Sequence, residues 1–292
     1  MSLEPAFDPA SRTLPYGTDT LLMPNPSRET YSHGHHDSVL RSHRWRTAEN
    51  SAAYLLPWLK PADRLLDVGV GPGTITVDFA ERLTDGSVVG IDSAPTAVSA
   101  TRTLAAEQGV ENLSVSVGDV YHLQFPDASF EVVHAHQVLQ HLRDPTAALR
   151  EMGRVCVPGG LVAARDADYA AMIWHPSSPA LTRWLELYRQ VAWVNGGEPD
   201  AGRRLLSWAR AAGFSDVEAS ASAWCFATSA DVAWWSETWA ARLSQSDFAQ
   251  QAVEHDLTDL TELAQLAEGW LEWGRLADAW FSILHAEILC RR

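Results

Sequence analysis

The chain has 292 residues, enough for one large domain or two small ones, and its 46% hydrophobic content is ordinary for a protein with a well-buried core. Its formal net charge of -15 disfavours a nucleic-acid partner, because contacts to phosphates need a basic surface. The sequence shows no apolar run of about 20 residues, as a membrane span needs, and no signal-peptide pattern at its start, so we expect a cytoplasmic protein with a small-molecule substrate and no membrane partner.

The first part of the chain differs in composition from the rest. Residues 1–30 contain five prolines and little apolar periodicity, which predicts a segment without regular structure. A helical pattern follows over residues 39–59. We therefore divide the chain into an N-terminal arm or lid, residues 1–38, and one domain, residues 39–292.

Short apolar runs then alternate with segments of helix length, which is typical of a parallel sheet with crossover helices. The predicted strands cover residues 64–68, 87–91, 113–117, 130–135 and 161–165. Beyond them we predict a helix over 180–194, a helical segment that ends at Gly213, a sixth strand over 217–227, helices within 229–276 and a last strand over 280–290. The predicted fold class is α/β, with a Rossmann-like, doubly wound sheet and helical insertions at about 168–212 and 229–276.

The first predicted strand runs into a glycine-rich turn, GVGPGT over residues 69–74, and then into a helix. This arrangement brings the backbone close to a ligand, because glycine has no side chain to block the approach. A dinucleotide-binding enzyme would place its last glycine at the position of Thr74, which argues against NAD. A tight turn with a purely structural role is the alternative interpretation.

Two further strand ends carry carboxylates. Asp92 follows Gly73 by nineteen residues and is placed to accept hydrogen bonds from both hydroxyls of a ribose. The third strand ends in Gly118, Asp119 and Val120, where the carboxylate can accept from an adenine amino group and the Val120 N–H can donate to the ring. Acidic turn residues without a ligand are the alternative on any doubly wound fold.

With these motifs the chain resembles the class I S-adenosylmethionine-dependent methyltransferases, in the branch that includes the ubiquinone and menaquinone biosynthesis enzymes. The resemblance covers about residues 63–166. Its motifs are LLDVGVGPGT at 65–74, VGIDS at 89–93, GD at 118–119, FPDASF at 125–130, VLQH at 138–141 and VPGG at 157–160.

The resemblance implies S-adenosylmethionine as cofactor, S-adenosylhomocysteine as product, and a sheet of seven strands whose last strand is antiparallel and pairs with the sixth. It also implies that Asp67 and the glycine turn approach the methionine moiety, and that His136 and Gln137 form the floor near the methyl group. The family usually has a small or amide residue where this chain has His136. The full set of expected contacts from this region is Asp67, Gly69, Gly71, Gly73, Thr74, Asp92, Ser93, Gly118, Asp119, Val120, His136 and Gln137.

The N-terminal segment adds three expected contacts. Tyr31 and His36 would fold over the cofactor, and Arg46 would reach its carboxylate, with a solvated arm and a surface arginine as the alternative. No metal is expected at the clustered histidines 33, 35 and 36, because no carboxylate or cysteine partners lie nearby.

Methyl transfer from a sulfonium needs orientation, exclusion of water and sometimes a base, but no nucleophilic side chain. The candidate bases are Asp166, Asp168 and Tyr169, which follow the fifth strand; capping of the next turn is the alternative. His141 lies one helical turn beyond Gln137 and is a candidate to face the acceptor, with a packing role as the alternative.

Eleven of the thirteen tryptophans lie after residue 170. Most are expected in the core, but Trp174, Trp193 and Trp235 are expected to line a pocket for a flat aromatic acceptor. The whole chain is also similar to the bacterial indole carbon-3 methyltransferases of physostigmine-type alkaloid biosynthesis, which implies C-methylation of a tryptamine derivative in secondary metabolism. The alternatives are O-, N- or S-methylation of a phenol, a quinone precursor or a thiol, and a non-catalytic protein that binds S-adenosylmethionine.

Overall fold

The computed structural model of the protein describes residues 45–292. The predicted arm over residues 1–38, with Tyr31 and His36, and the first part of the helix predicted from residue 39 lie outside the described residues. In the described chain no helix is both long and apolar enough to cross a membrane.

One sheet of eight strands runs through the described chain. The strands are β1 Arg64–Val68, β2 Ser87–Asp92, β3 Leu113–Val117, β4 Phe130–His136, β5 Cys156–Ala167, β6 Ile173–His175, β7 Asp216–Phe226 and β8 Trp280–Arg291. Their order is β3-β2-β1-β4-β5-β8, and both β6 and β7 pair with β8. The first five strands are parallel, whereas β8 is antiparallel to β5, β6 and β7. This order confirms the predicted α/β fold with an antiparallel last strand beside the predicted sixth strand.

The sheet has one strand more than the seven we expected. The additional strand is β6, which has three residues and pairs Trp174 with Phe281 of β8. A run this short shows no alternation of apolar and polar residues, so its extended conformation depends on the partner strand.

Nine helices accompany the sheet within residues 45–292. They are α1 Ala48–Ser51, α2 Thr74–Arg82, α3 Pro95–Glu107, α4 Pro145–Val155, α5 Pro179–Val194, α6 Leu205–Ala212, α7 Ser229–Gln245, α8 Asp247–Glu254 and α9 Leu260–Gly274. The helix predicted over 39–59 is shorter than expected in its described part. It ends at Ser51, and a 3₁₀ turn follows at Leu56–Trp58, where Pro57 has no N–H to continue an α-helix.

Both faces of the central sheet are buried. In β1, Leu65 belongs to the core that contains Phe79 of α2, whereas its neighbour Leu66 belongs to the core that contains Met152 of α4. Successive residues of a strand point to opposite faces, so helices cover the sheet on both sides. This burial explains why the central strands appear in the sequence as continuous apolar runs.

A separate aromatic core is built from α5, α7, α8, α9 and the first half of β8. Trp184 packs edge to face against Trp239 and Trp270, with ring centroids 4.4 and 4.8 Å apart. Ala167, the last residue of β5, pairs with His285 of β8, so the start of β8 extends past the carboxyl end of β5. The aromatic core therefore lies beyond the carboxyl ends of the parallel strands, the end at which ligands bind in doubly wound sheets.

Candidate functional site

The glycine turn after β1 is held in a conformation that favours glycine. Gly69 and Gly73 have φ values of +77° and +91°, which L side chains rarely adopt. A Cβ on Gly69 would lie 2.4 Å from Cγ2 of Val138, whereas a Cβ on Gly71 would meet no atom within 4 Å. The backbone at Gly71 therefore borders open space, and α2 begins directly after the turn, with the N–H groups of its first turn near that space.

A cavity of about 430 Å³ opens over this turn, at the carboxyl ends of β1, β2 and β4; we call it the glycine-turn cavity. Its volume lies in the range of pockets that hold small ligands. The predicted site residues that line it are Arg46, Asp67, Gly69, Gly71, Thr74, Asp92, Ser93, His136, Gln137 and His141.

Asp92 is fixed at the end of β2 by backbone donors. Its Oδ2 accepts from the N–H of Gly71 at 3.0 Å, and its Oδ1 accepts from the N–H of Ala94 at 2.9 Å. A carboxylate oxygen has more than one acceptor site, so both oxygens can also accept from a ligand in the cavity. The geometry suits a ligand with two neighbouring hydroxyls.

Asp67, the next-to-last residue of β1, has an architectural role as well. Its Oδ2 accepts from the Thr76 hydroxyl at 2.6 Å, and its Oδ1 accepts from Nδ1 of His134 at 2.8 Å. The buried carboxylate thereby connects β1 to α2 and β4 at the base of the cavity.

His136 ends β4 in the wall of the glycine-turn cavity and is 6% exposed. In the described chain neither of its ring nitrogens has a hydrogen-bond partner. Burial lowers the pKa of His136 well below its usual value, and the charges of Arg165 and Arg46 lower it further. The ring is therefore a neutral polar group with unused hydrogen-bonding capacity, a feature that fits a ligand-binding wall better than a packing position.

A second, narrower cavity lies next to the first, and we call it the aromatic pocket. Its aromatic walls are Trp45, Tyr169, Tyr188, Trp224, Phe226, Trp234, Trp235 and Trp239. Its open volume is about 30 Å³, room for little more than a water molecule, so a ring that enters must displace side chains of the wall. Two described residues, Arg46 and Gln137, line both cavities, which places the two spaces on either side of a shared wall.

Two of the three predicted bases do not face either cavity. Asp168 accepts from Nε and Nη2 of Arg203 at 2.7 and 2.6 Å, so its carboxylate closes the turn after β5. Asp166 is fully buried and accepts from the N–H of Gln140 at 3.1 Å. Burial raises the pKa of Asp166 to about 8, so its neutral form dominates at pH 7.

Tyr169 and His141 are connected through the side-chain amide of Gln140. Tyr169 lines the aromatic pocket, and His141 lines the glycine-turn cavity. The side-chain amide of Gln140 lies 3.1 Å from both the Tyr169 hydroxyl and His141 Nε2. The Tyr169 hydroxyl also lies 2.9 Å from that of Tyr188, so the phenols of the pocket are held in place from within the protein.

The three tryptophans proposed for an acceptor pocket have different positions. Trp235 lines the aromatic pocket and stacks on Phe226 at 4.5 Å. Trp174 stacks on Phe281 and lies outside the pocket lining. Trp193 is 48% exposed, because it lies off the inward stripe of α5, and it packs under the Arg189 guanidinium instead.

The end of β3 lies beside the glycine-turn cavity rather than in its lining. The Asp119 side chain is 61% exposed and accepts from the N–H of Tyr121 at 2.9 Å. Gly118 packs against Ile91, and Val120 is buried. Gly73 is also absent from the lining, because it faces Thr101 of α3.

Sequence reasoning missed about half of the cavity wall: Val70, Pro72, Ile75, Ala94, Thr96, Ala97, Ala100, Val138 and Leu142. One pattern in the sequence indicates part of this wall. Ala97 and Ala100 are small residues one turn apart at the start of α3, directly after the Asp92 strand end, where small side chains leave room for a ligand.

Comparison with known proteins agrees with this geometry. Residues 59–213 match a family model described as a methyltransferase domain. The chain is 34% identical over 271 residues to an uncharacterized methyltransferase of Schizosaccharomyces pombe, covering 90% of this chain and 96% of that protein. It is 29% identical over 278 residues to the probable methyltransferase ltbC of Aspergillus luteorubrus, covering 89% and 96%. In fold it is similar to the YcgJ protein of Bacillus subtilis, with a TM-score of 0.56 at 18% identity over 84% of this chain and 99% of that one.

The family model matches more than half of the chain, and the yeast relative aligns over nearly its whole length. The protein belongs to the methyltransferase-domain family and is an S-adenosylmethionine-dependent methyltransferase.

Proposed function

We propose that the protein methylates a small, flat aromatic acceptor, which enters the aromatic pocket while S-adenosylmethionine occupies the glycine-turn cavity. The observation that carries this proposal is the shared wall: Arg46 and Gln137 line both cavities, so a ring in one space lies next to a ligand in the other. Proximity of this kind is the main contribution an enzyme can make to an in-line displacement.

The glycine-turn cavity fits the cofactor in size and in polar groups. Asp92, with Ser93 beside it, would hold the ribose hydroxyls, since both carboxylate oxygens keep free acceptor sites. Asp67 and the turn over residues 69–74 would lie along the methionine moiety, and Arg46 would reach its carboxylate.

The adenine contacts are a separate part of the proposal. The exposed Asp119 carboxylate would accept from the adenine amino group, and the N–H of Val120 would donate to the ring, with Gly118 leaving space for it. Tyr31 and His36 would cover the cofactor from the N-terminal segment.

The cofactor supplies a methyl group on a sulfonium; the bond to the acceptor forms as the carbon–sulfur bond breaks, and the electron pair of that bond stays on the sulfur of S-adenosylhomocysteine. The residues of this chain exclude water and orient the ring. The positive charge passes from sulfur to the acceptor, and aromatic faces such as Trp224 and Trp235 would stabilise it by cation–π interaction.

Neutral histidines support this chemistry. Burial lowers the pKa values of His136 and His141, which line the glycine-turn cavity, so neither places a second positive charge beside the sulfonium at neutral pH. His136, whose ring nitrogens have no partner in the described chain, can still accept a hydrogen bond through its unprotonated nitrogen.

Within the aromatic class we propose an indole, methylated at carbon 3, as in physostigmine-type alkaloid biosynthesis. The support is the number of indole and phenol faces in the pocket, which suit a flat bicyclic ring by stacking. Phenols and quinone precursors, the acceptors expected from the ubiquinone and menaquinone branch, would occupy the same pocket.

The test is an acceptor screen. The full chain is incubated with S-adenosylmethionine and, in separate reactions, with indoles, phenols, quinone precursors and aliphatic thiols, and products are detected by a mass increase of one methylene. We expect transfer to the aromatic compounds, with indoles preferred. Transfer to thiols only would contradict the aromatic pocket as the acceptor site, and cofactor binding without transfer to any of the aromatic compounds would contradict the proposed acceptor class.

A further inference from the structure

Gln137 has an unusual backbone at the shared wall. It directly follows β4 with a φ of +54°, a left-handed conformation that few residues other than glycine adopt. Its N–H donates to the carbonyl of Arg165 at 2.7 Å, which holds the strained conformation in place. Strain of this kind is concentrated at functional sites, where the surrounding structure fixes a side chain in one direction.

The side chain of Gln137 is held by His285, a buried residue of β8. Nδ1 of His285 lies 3.2 Å from the carbonyl oxygen of Ile283. A carbonyl oxygen can only accept, so Nδ1 carries the hydrogen and donates it. Burial lowers the pKa of His285 well below its usual value, so the ring is neutral and its Nε2 is an acceptor.

The tautomer of His285 decides the orientation of the Gln137 amide. Nε2 of Gln137 lies 2.8 Å from Nε2 of His285. Since the imidazole nitrogen accepts, the amide nitrogen must donate; the reversed amide would set two lone pairs against each other. The amide oxygen Oε1 is therefore directed away from His285, and no described residue donates a hydrogen bond to it.

The other residue of the shared wall cannot replace this acceptor. Arg46 lines both cavities with Gln137, but a guanidinium has only donors. His136 has unused ring nitrogens but lines the glycine-turn cavity only. Gln137 therefore provides an oriented hydrogen-bond acceptor at the wall shared by the two cavities.

We infer that Gln137 Oε1 accepts a hydrogen bond from a ring N–H or an aromatic O–H of the acceptor, and that His285 is the positioning residue that fixes the amide. The inference rests on the proposed function. It narrows the acceptors to aromatic rings that carry an N–H or O–H group on the edge that faces the shared wall of the two cavities. For an N–H heteroaromatic the hydrogen bond strengthens as the ring gives electrons to the methyl group, because the N–H becomes more acidic as positive charge develops.

The test compares indole with 1-methylindole, which has the same ring system without the N–H. Binding of each to the full chain saturated with S-adenosylhomocysteine is measured by calorimetry, so the readout does not require turnover. We expect indole to bind about fivefold more tightly than 1-methylindole in the wild-type protein, the effect of one hydrogen bond.

Three variants complete the test. In Gln137→Met the preference for indole should disappear, so that indole and 1-methylindole bind with about equal affinity. In His285→Phe, which keeps an aromatic ring beside Trp224, the preference should fall to a value between those of wild type and Gln137→Met, because the amide can then rotate. Gln250→Met, on the exposed side of α8, should keep the wild-type preference.

Each other outcome is informative. Equal binding of the two rings by the wild-type protein would overturn the inference while leaving the proposed function intact, and this comparison does not depend on how any variant folds. An unchanged preference in Gln137→Met would also overturn it. Loss of S-adenosylhomocysteine affinity in Gln137→Met, with the preference unchanged, would assign the amide to the cofactor instead. If neither ring binds, the aromatic acceptor class itself is wrong, and the inference fails with it.

Discussion

The Oδ2 atom of Asp92 accepts a hydrogen bond from the backbone N–H of Gly71 at 3.0 Å, which joins the end of β2 to the glycine turn after β1. The ends of β1 and β2, which carry the two sequence motifs, are thus joined by a hydrogen bond. The Asp92 carboxylate is therefore held in place before a ligand binds. Preorganisation of this kind reduces the entropy that binding must overcome.

Asp92→Ala should weaken binding of S-adenosylmethionine by about 2 to 4 kcal/mol, because two charge-assisted hydrogen bonds to the ribose are lost. Calorimetric titration measures the change. Asp85→Ala, in an exposed turn away from the cavity, serves as the control and should bind normally. Unchanged affinity in Asp92→Ala would refute the ribose assignment.

Trp235→Leu should reduce turnover per folded molecule several-fold, because the ring that forms part of the pocket wall is lost. Trp235 also packs in the aromatic core, so the free energy of unfolding should fall by about 2 to 4 kcal/mol. The matched control is Trp193→Leu on the exposed side of α5, which should change both quantities little. A large loss of stability in Trp235→Leu with normal specific activity would leave this ring with a packing role only.

Asp168→Asn should destabilise the protein without impairing catalysis. The substitution removes the carboxylate that accepts from Nε and Nη2 of Arg203, at a cost of about 1 to 3 kcal/mol in the free energy of unfolding. Urea denaturation and specific activity are measured on the same preparation. A tenfold loss of kcat with unchanged stability would restore Asp168 as a catalytic base.

Asp166→Asn should change the pH dependence of stability. Burial raises the pKa of Asp166 to about 8 in the folded protein, whereas the unfolded chain ionises near its ordinary value of about 4. The unfolded state therefore binds fewer protons between these values, and the wild-type protein loses stability as pH rises from about 4 to 8. The variant lacks this loss, so the difference in melting temperature, variant minus wild type, should grow from pH 5 to pH 8. A difference that is constant with pH would show that Asp166 is ionised in the folded state.

Local patterns predict much of the fold. The bounds of β1 and β3 agree with the prediction to the residue, since each is a short run bounded by turn residues. β6 is not predictable in this way, because it exists only through its pairing with β8. The helix before β1 is overpredicted, because apolar spacing continues beyond Ser51, where the described helix ends.

The candidate site, like the fold, is predicted by local patterns only in part. Asp67, Asp92 and the glycine turn are visible in the sequence because each lies at or next to the end of a strand, within a short recognisable motif. The aromatic pocket is not, because its walls come from distant parts of the chain. Trp45 and Trp224, for example, have ring centroids 5.3 Å apart, and no local pattern links positions so far apart in sequence.

The rate at which S-adenosylhomocysteine forms in the presence and absence of an aromatic acceptor tests whether the protein transfers methyl groups to aromatic rings. The full chain is supplied with S-adenosylmethionine and indole, and S-adenosylhomocysteine and methylated indole are quantified together by mass spectrometry. We expect indole to increase formation of S-adenosylhomocysteine strongly, the two products to appear in equal amounts, and Asp92→Ala to lower both when the cofactor is limiting. Formation of S-adenosylhomocysteine that no indole or phenol accelerates would contradict this expectation.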